Sequence, residues 1–359
     1  MTVPTIKIII ALTILAFQSF AQEKMEAEIL LEEMVSKKGN IGVSSGYMVS
    51  GEIKWKNSAG HLCKDGKNPF SDNTLTRIAS ISKSMTAVAV MQLVEKGLIE
   101  LEKPIQTYLP EFPIKDKGEI TVRQLLAHTS GMSQYENDKE IENTVHFATL
   151  EEAMQVFKDR PLMFEPGSQY FYTTYGYVVL GRIIELVSGL SYEAYMQKNI
   201  WDLAGMGNTG IERIDKLYEN KSCLYHKKKR KTKAAGQNDL SNRIPGGGLY
   251  STLQDILKFG QAVVDERLIS GSTLSLMMQS QPVEYKGNKY GLGWRFYGPA
   301  GYENAVIGHD GGQTGCTSQL FIIPKSKTIV VVLSNTSGTY RDIATFASEL
   351  VRISESERN

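Results

Sequence analysis

The sequence predicts an α+β fold, an α/β sandwich. An antiparallel sheet from both chain ends is flanked by terminal helices, with a mainly helical region inserted between. Three observations predict it. Residues 41–55 alternate in β fashion near one end, and residues 318–323 and 328–333 are β-rich near the other. Residues 23–38 and 340–351, at the two ends, repeat at helical spacing. Helical periods dominate the middle. The sheet part is expected at about 22–80 and 286–359, and the helical part at about 81–285. A chain of 359 residues suits one large domain or two intermeshed ones.

Each element has its own signal. Ala27, Ile29, Leu30, Leu31, Met34 and Val35 form the apolar stripe of the first helix, which Gly39 stops. Residues 41–55 read as strands of a meander, with turn signals at Gly46 and Gly51. Residues 63–74 are polar loop, and 75–79 form a short strand feeding the run from Ser84 to Gly97. Within it Met85 to Met91 is apolar on nearly every side, as a buried helix is. Pro104, Pro110 and Pro113 make 98–113 a wrapping loop with a short helix at most. Residues 121–127 start a helix that meets the turn His128-Thr129-Ser130-Gly131. Residues 150–157, 177–187 and 192–201 are helical by period. Residues 211–245 are polar and irregular and include the basic run His226 to Lys233. It reads as a solvated loop, with contact to an anionic surface as the sharper alternative. Gly246-Gly247-Gly248 precedes a helix at 253–264, opened by Ser251 with Gln254 or by Thr252 with Asp255. Residues 290–296 read as a strand, and Pro324-Lys325-Ser326-Lys327 joins the last two strands as a hairpin.

The N-terminus reads as an address. Lys7, the apolar run 8–17 and Ser19-Phe20-Ala21 make residues 1–21 a cleaved secretory signal, with an uncleaved anchor as the alternative. The mature chain, 22–359, is then periplasmic or secreted. No cysteine follows the apolar core to carry a lipid, and no later stretch is apolar enough to span a bilayer. Without Lys7 the mature chain balances 39 basic against 39 acidic residues, and nothing in that suggests nucleic acid. Nothing in the sequence fixes an oligomeric state. The three cysteines, Cys63, Cys223 and Cys316, are an odd count for an exported chain. They leave at least one free thiol or pair between chains. The five histidines show no metal-ligand spacing and there is no Cys-x-x-Cys, so neither metal nor cofactor is expected.

The chemistry centres on Ser80-Ile81-Ser82-Lys83. If Ser80 opens a helix, Ser80 and Lys83 project from one face a turn apart, beside the positive end of the helix dipole. Lys83 begins the apolar run, so desolvation favours its neutral, basic form. A hydroxyl beside a buried amine is what an activated serine nucleophile needs. An N-cap serine with a surface lysine is the plainer alternative. Two further stretches can meet Ser80. The aromatic segment Pro166 to Tyr177 offers the Tyr172 phenol as a proton relay, or is a packed aromatic loop. Gly308-His309-Asp310-Gly311-Gly312 lets a backbone N–H approach a ligand at the sheet edge.

In this order the three stretches resemble the active-site motifs of the serine β-lactamase and penicillin-binding-protein superfamily: Ser-x-x-Lys, Tyr-x-Asn, then Lys-Thr-Gly or His-x-Gly. The subfamily resembled is the class C β-lactamase-like one. Leu109-Pro110-Glu111-Phe112, His128-Thr129-Ser130-Gly131, Gly247-Gly248-Leu249-Tyr250-Ser251 and Tyr290-Gly291-Leu292-Gly293-Trp294 are similar to its recurrent segments, and the likeness runs from about 41 to 333. Arg77 to Ser84 and Tyr172-Thr173-Thr174 look most like the mitochondrial serine β-lactamase-like branch. The resemblance implies that Ser80 is acylated and that Lys83 shares its proton. It makes Tyr172 a general base working with Lys83, and places the oxyanion between the N–H groups of Ser80 and Gly312. Thr174, His309 and Gly311 fall at substrate-binding places.

Two departures bear on substrate. Thr174 stands where most relatives have Asn, and His309 replaces a permanently charged lysine. Both turn the expectation from an efficient β-lactamase towards a peptidase or esterase acting on a small-molecule or peptide amide or ester. A non-catalytic sensor of peptidoglycan-type peptides is the alternative, but it has no need of Ser80, Lys83 and Tyr172 together. Two decoys are set aside. Gly42-Val43-Ser44-Ser45-Gly46 matches a nucleophile elbow but is followed by strand-like sequence, not a helix. Ser71-Asp72-Asn73 matches a second motif but precedes Ser-x-x-Lys, and reads as a turn.

Overall fold

The structure, a computed structural model, describes residues 22–279, 290–297 and 305–356. The expected leader at 1–21 and the expected boundary near 285 lie outside the described residues. Helix α1 (22–36) is followed by strands β1 (Gly42–Val49), β2 (Glu52–Gly60) and β3 (Thr76–Arg77). Then comes a mainly helical stretch: α2 (Ile81–Glu95), α3 (Val122–Leu126), α4 (Asp138–Ile141), α5 (Leu150–Met154), α6 (Tyr175–Ser188), α7 (Tyr192–Met196) and α8 (Asp202–Ala204). Short strands β4 (Gly210–Ile211), β5 (Tyr225–Lys228) and β6 (Lys231–Ala234) precede α9 (Ile244–Gly247), β7 (Leu249–Ser251), α10 (Leu253–Val264) and α11 (Gly271–Met277). The chain closes through β8 (Arg295–Phe296), β9 (Ile307–Gln313), β10 (Cys316–Ile323), β11 (Thr328–Ser334), β12 (Thr336–Ser337) and α12 (Tyr340–Ser356).

The main sheet runs β2-β1-β11-β10-β9-β8, antiparallel at every described pairing, so the N-terminal hairpin is completed by the C-terminal strands. Alternation gives β11 two faces. Val330 and Val332 join Leu31, Tyr47, Ile343, Phe346 and Leu350 under α1 and α12. Ile329, Val331 and Leu333 join the larger core with Met85, Ile256 and Phe259 of α2 and α10. At about 25 cal/mol per Å² of apolar surface, burying both faces is the main drive for this sandwich.

Local chemistry sets the helix starts. Thr121 and Gln124 cap α3 reciprocally, and of the two pairings open for α10 it is Thr252 that accepts from the Asp255 N–H. Three expectations are corrected. Gly46 is no turn: it lies inside β1, opposite Val331 and Lys56, and the turn is at Gly51. The segment 290–296 is strand only at Arg295–Phe296. Gly293 breaks it at φ 83°, where an added Cβ would stand 2.1 Å from the Ala87 Cβ of α2. The basic run is not a loop but the hairpin β5–β6, which β12 extends in parallel. The Cys63–Cys223 disulfide ties the chain just before β5, and nearer the tip Thr232 Oγ1 donates to Gly39 O. Cys316 is free and buried.

Candidate active site

Between β3 and α2 the chain makes a tight, strained turn. Ala79 takes φ 47°, which costs a non-glycine residue on the order of 1–2 kcal/mol. The turn is fastened from below. Arg77, fully buried, bonds Glu212 and Asn238; Cys316 Sγ donates to Arg77 O; Ser318 Oγ donates to Ile78 O at 2.9 Å. Ser80 then opens α2 with helical angles, φ −70° and ψ −5°, and its hydroxyl makes no capping bond. An N-cap serine normally gives its oxygen to the helix. Here that oxygen faces Lys83 instead. Strand β9 abuts the same turn: a Cβ on Gly311 would stand 2.6 Å from Ile78 O. Gly312, next along, is exposed and open on its Cα face.

Lys83 has no solvent exposure. Its Nζ lies 2.6 Å from Gly246 O, 3.1 Å from Thr174 Oγ1 and 3.2 Å from Ser80 Oγ. Burial first, then the charges of Arg295 and Arg243, hold its pKa well below that of an ordinary amine, with Asp310 opposing. A neutral amine has two N–H groups and one lone pair. The carbonyl of Gly246 can only accept; with one N–H given to it and one to Thr174 Oγ1, a deprotonated Lys83 would turn its lone pair to the Ser80 hydroxyl. That is the geometry of a base beside a nucleophile.

Tyr172 is the third member. Its phenol is in hydrogen-bonding contact with Ser80, and its ring centroid is 4.8 Å from Lys83 Nζ and 5.1 Å from the Arg295 guanidinium carbon. Burial pushes the phenol pKa well up, with Arg295 and the Ser80 bond opposing, so the phenol stays protonated near neutral pH. Thr174 Oγ1 also accepts from Gln134 Nε2 at 3.1 Å, while Gln134 Oε1 accepts the Thr174 N–H at 2.7 Å.

His309 is buried on β9. Its Nδ1 is 2.6 Å from Asp310 O, which can only accept, so Nδ1 carries the proton and Nε2 accepts from Tyr290 O–H at 2.9 Å. Both ring nitrogens therefore face protein partners. Burial lowers its pKa, with the Asp310 charge opposing, and the ring is neutral at pH 7. The Asp310 carboxylate points elsewhere, to Arg295 Nε at 2.8 Å and Tyr297 O–H at 3.0 Å, as strand alternation requires.

The structure thus brings Ser80, Lys83, Tyr172, Thr174 and the β9 edge to one place. Gly246, Gln134, His128, Tyr290 and Arg295 were not singled out from the sequence. All but Gln134 lie in segments that the sequence marks out, but it takes the fold to show which atom faces Lys83 or Tyr172. The decoys stay apart. Ser44 and Ser45 are buried inside β1, which leads to β2 and not to a helix, and Asp72-Asn73 form a turn. Among the described residues no group of three or more His, Cys, Asp or Glu could hold a metal ion, and no helix is long and apolar enough to cross a membrane.

A serine hydroxyl free of any capping bond beside a fully buried amine of lowered pKa, at the seam of this sandwich, defines a serine hydrolase. The chain belongs to the Beta-lactamase family, whose model it matches over residues 17–351. It is 28% identical to the mitochondrial serine β-lactamase-like protein LACTB of Homo sapiens, over 85% of this chain and 73% of that protein. It is also similar to the octameric penicillin-binding protein homologue from Pyrococcus abyssi. That match has 28% identity and a TM-score of 0.77, and covers 90% of this chain and 76% of the other. The D-amino acid amidase from Ochrobactrum anthropi shares the fold, with a TM-score of 0.82 at 23% identity, over 94% of this chain and 100% of the other.

Proposed function

We propose that this chain is an exported hydrolase that cleaves an amide or ester through an acyl-enzyme on Ser80. The single observation that carries the proposal is the fully buried Lys83 Nζ, 3.2 Å from Ser80 Oγ and held by Gly246 O and Thr174 Oγ1; once deprotonated, with those two taking its N–H groups, its lone pair is free for the Ser80 proton. Ser80 Oγ attacks the acyl carbon as its proton passes to Lys83. The carbonyl oxygen gains charge between the N–H groups of Ser80 and Gly312, worth about 3 kcal/mol per donor in other acyl-transfer enzymes. As the leaving group departs, the Tyr172 phenol gives it a proton and recovers one from the Lys83 ammonium. Water then attacks the ester. Its proton returns along the same path, and Ser80 leaves protonated with Lys83 neutral.

The substrate class follows from charge. With His309 neutral and Asp310 against Arg295, the site favours neutral acyl groups over carboxylate-bearing β-lactams, so a peptidase or esterase is preferred to an efficient β-lactamase. An amidase with this fold is consistent with that preference. Export is supported by the pairing of Cys63 with Cys223, a bond that persists in oxidising compartments.

The test is intact-mass analysis after an active-site fluorophosphonate, followed by turnover of a panel of esters, D-amino-acid amides and a chromogenic β-lactam. One adduct at Ser80 and turnover of a neutral ester or amide are expected. No adduct and no turnover of any of these would sink the proposal. For export, the mass of the protein recovered outside the cytoplasm should correspond to a start at Gln22; a full-length cytoplasmic product would refute it.

A further inference from the structure

His128 is fully buried at the centre of four tyrosine rings. Its centroid is 4.3 Å from Tyr172, 4.6 Å from Tyr290, 5.3 Å from Tyr177 and 6.0 Å from Tyr170. Its own N–H donates to Leu125 O at 3.4 Å, and two further bonds straddle Tyr172. Its backbone carbonyl accepts the Phe171 N–H at 2.9 Å, and its ring Nδ1 accepts the Thr173 N–H at 3.2 Å. A ring nitrogen that accepts a backbone N–H is unprotonated, so the proton of the neutral imidazole sits on Nε2. That Nε2 is buried with no hydrogen-bond partner in the structure. The backbone is strained as well, at φ 60°. An unpaired buried N–H and a left-handed non-glycine residue both cost stability. A residue chosen for packing alone would avoid both.

We propose that His128 is a positioning residue for Tyr172. Its carbonyl and Nδ1 hold the two residues on either side, its ring sets the plane of the phenol, and so the phenol is kept against Ser80. The proposal rests on the role given to Tyr172 above. Hydrogen bonds fix the peptide at Phe171 and Thr173, and the imidazole face stops the phenol from swinging away from the Ser80–Lys83 pair. Misplacing a catalytic group by about 1 Å costs on the order of 10²-fold in rate.

The shape of imidazole supplies the test. Asn at 128 puts its Oδ1 about where Nδ1 stands and can still accept the Thr173 N–H. Gln reaches instead to the Nε2 place and cannot. His128→Asn and His128→Gln are made in the wild type and in Tyr172→Phe, with kcat and KM for one ester and a melting temperature for each protein. If His128 acts through Tyr172, His128→Gln loses about 10²-fold in kcat with KM within about threefold, and His128→Asn recovers most of the loss. In the Tyr172→Phe background the two variants differ less than threefold, because the group they position is gone. An equal Asn-to-Gln ratio in both backgrounds, or a Gln variant as active as the Asn one, overturns the proposal. Should the Gln protein not fold, His128→Ala is put through the same cycle and read the same way. Tyr172→Phe with near wild-type turnover would be a different failure, that of the relay itself.

Discussion

Lys83 Nζ donates to the carbonyl of Gly246 at 2.6 Å, the shortest of its three polar contacts. Gly246 sits in α9, just after Pro245, and that segment packs against α2 and α6. The contact decides which way the amine points. A carbonyl cannot give a hydrogen back, so the Gly246 bond removes one of the two N–H groups and turns the rest of the nitrogen towards Thr174 and Ser80. The amine is oriented by a backbone atom, which no side-chain substitution at 246 removes directly.

Ser80→Ala should abolish fluorophosphonate labelling and lower turnover by on the order of 10³-fold or more, because members of a catalytic unit fail together. Ser44→Ala, inside β1, should leave turnover within a few-fold. Mass spectrometry and ester hydrolysis on both variants decide it, and a dead Ser44 variant beside a live Ser80 variant would restore the elbow at residues 42–46.

Lys83 gives a stability prediction with a definite sign. Its folded pKa is depressed below the free value of about 10.4, so between the two the unfolded chain binds a proton that the native chain does not. Stability therefore rises with pH across that window and levels off above the free value. Lys83→Met, which removes the group, should flatten that rise and melt higher than wild type at neutral pH while being inactive. Lys83→Arg should be inactive too, since guanidinium keeps its proton. Catalysis has an acid limb from the same group: kcat/KM should fall as pH drops through the depressed pKa. Melting curves from pH 6 to 10 and a pH–rate profile check this; an active Lys83→Arg enzyme would remove Lys83 from the base.

The β5–β6 hairpin carries a built-in repulsion. Lys228 faces Lys231 directly across the strands, and Lys229 between them takes φ 56°, a conformation that suits Gly or Asn. Lys228→Glu replaces a like-charge pair by an opposite one and should stabilise the protein by roughly 0.2–1 kcal/mol at low salt. The gain should shrink towards zero near 1 M salt, where the Debye length is about 3 Å. Melting of the variant at two salt concentrations is the check; a loss of stability at low salt would contradict the cross-strand register.

What could be read from sequence and what could not divide on physical grounds. The sandwich was legible because β11 and the terminal helices obey simple periods, and Ser80 with Lys83 because a three-residue spacing on a helix needs no tertiary knowledge. The hairpin at 225–234 was hidden by its charge: solvated lysines mask a strand whose pairing comes from β12 and a disulfide 160 residues apart in sequence. Gly46 was misread because glycine marks both a turn and a close strand approach. Gly246 O, Gln134 and His128 act through a carbonyl, a tertiary hydrogen bond and ring packing, and none of these leaves a signature in residue type.

His309 carries the last prediction. With Nδ1–H bonded to Asp310 O and Nε2 accepting from Tyr290, the ring is neutral and internally satisfied. Asp310 keeps its carboxylate for Arg295, so no fixed, uncompensated cation sits at this place on β9. Esters should therefore be turned over faster than penicillins at pH 7. His309→Lys puts a charge there, and a new ion pair worth about 1.4 kcal/mol in the transition state would raise penicillin acylation relative to ester hydrolysis about tenfold. The same change removes the acceptor for Tyr290 O–H, so ester turnover itself should fall, which moves the ratio the same way. Measuring kcat/KM for one neutral ester and one penicillin on both proteins separates the two effects, since only the ion pair raises the penicillin value in absolute terms. A wild type that already prefers the penicillin, or a variant with an unchanged ratio, would show that the charge at 309 does not select the substrate.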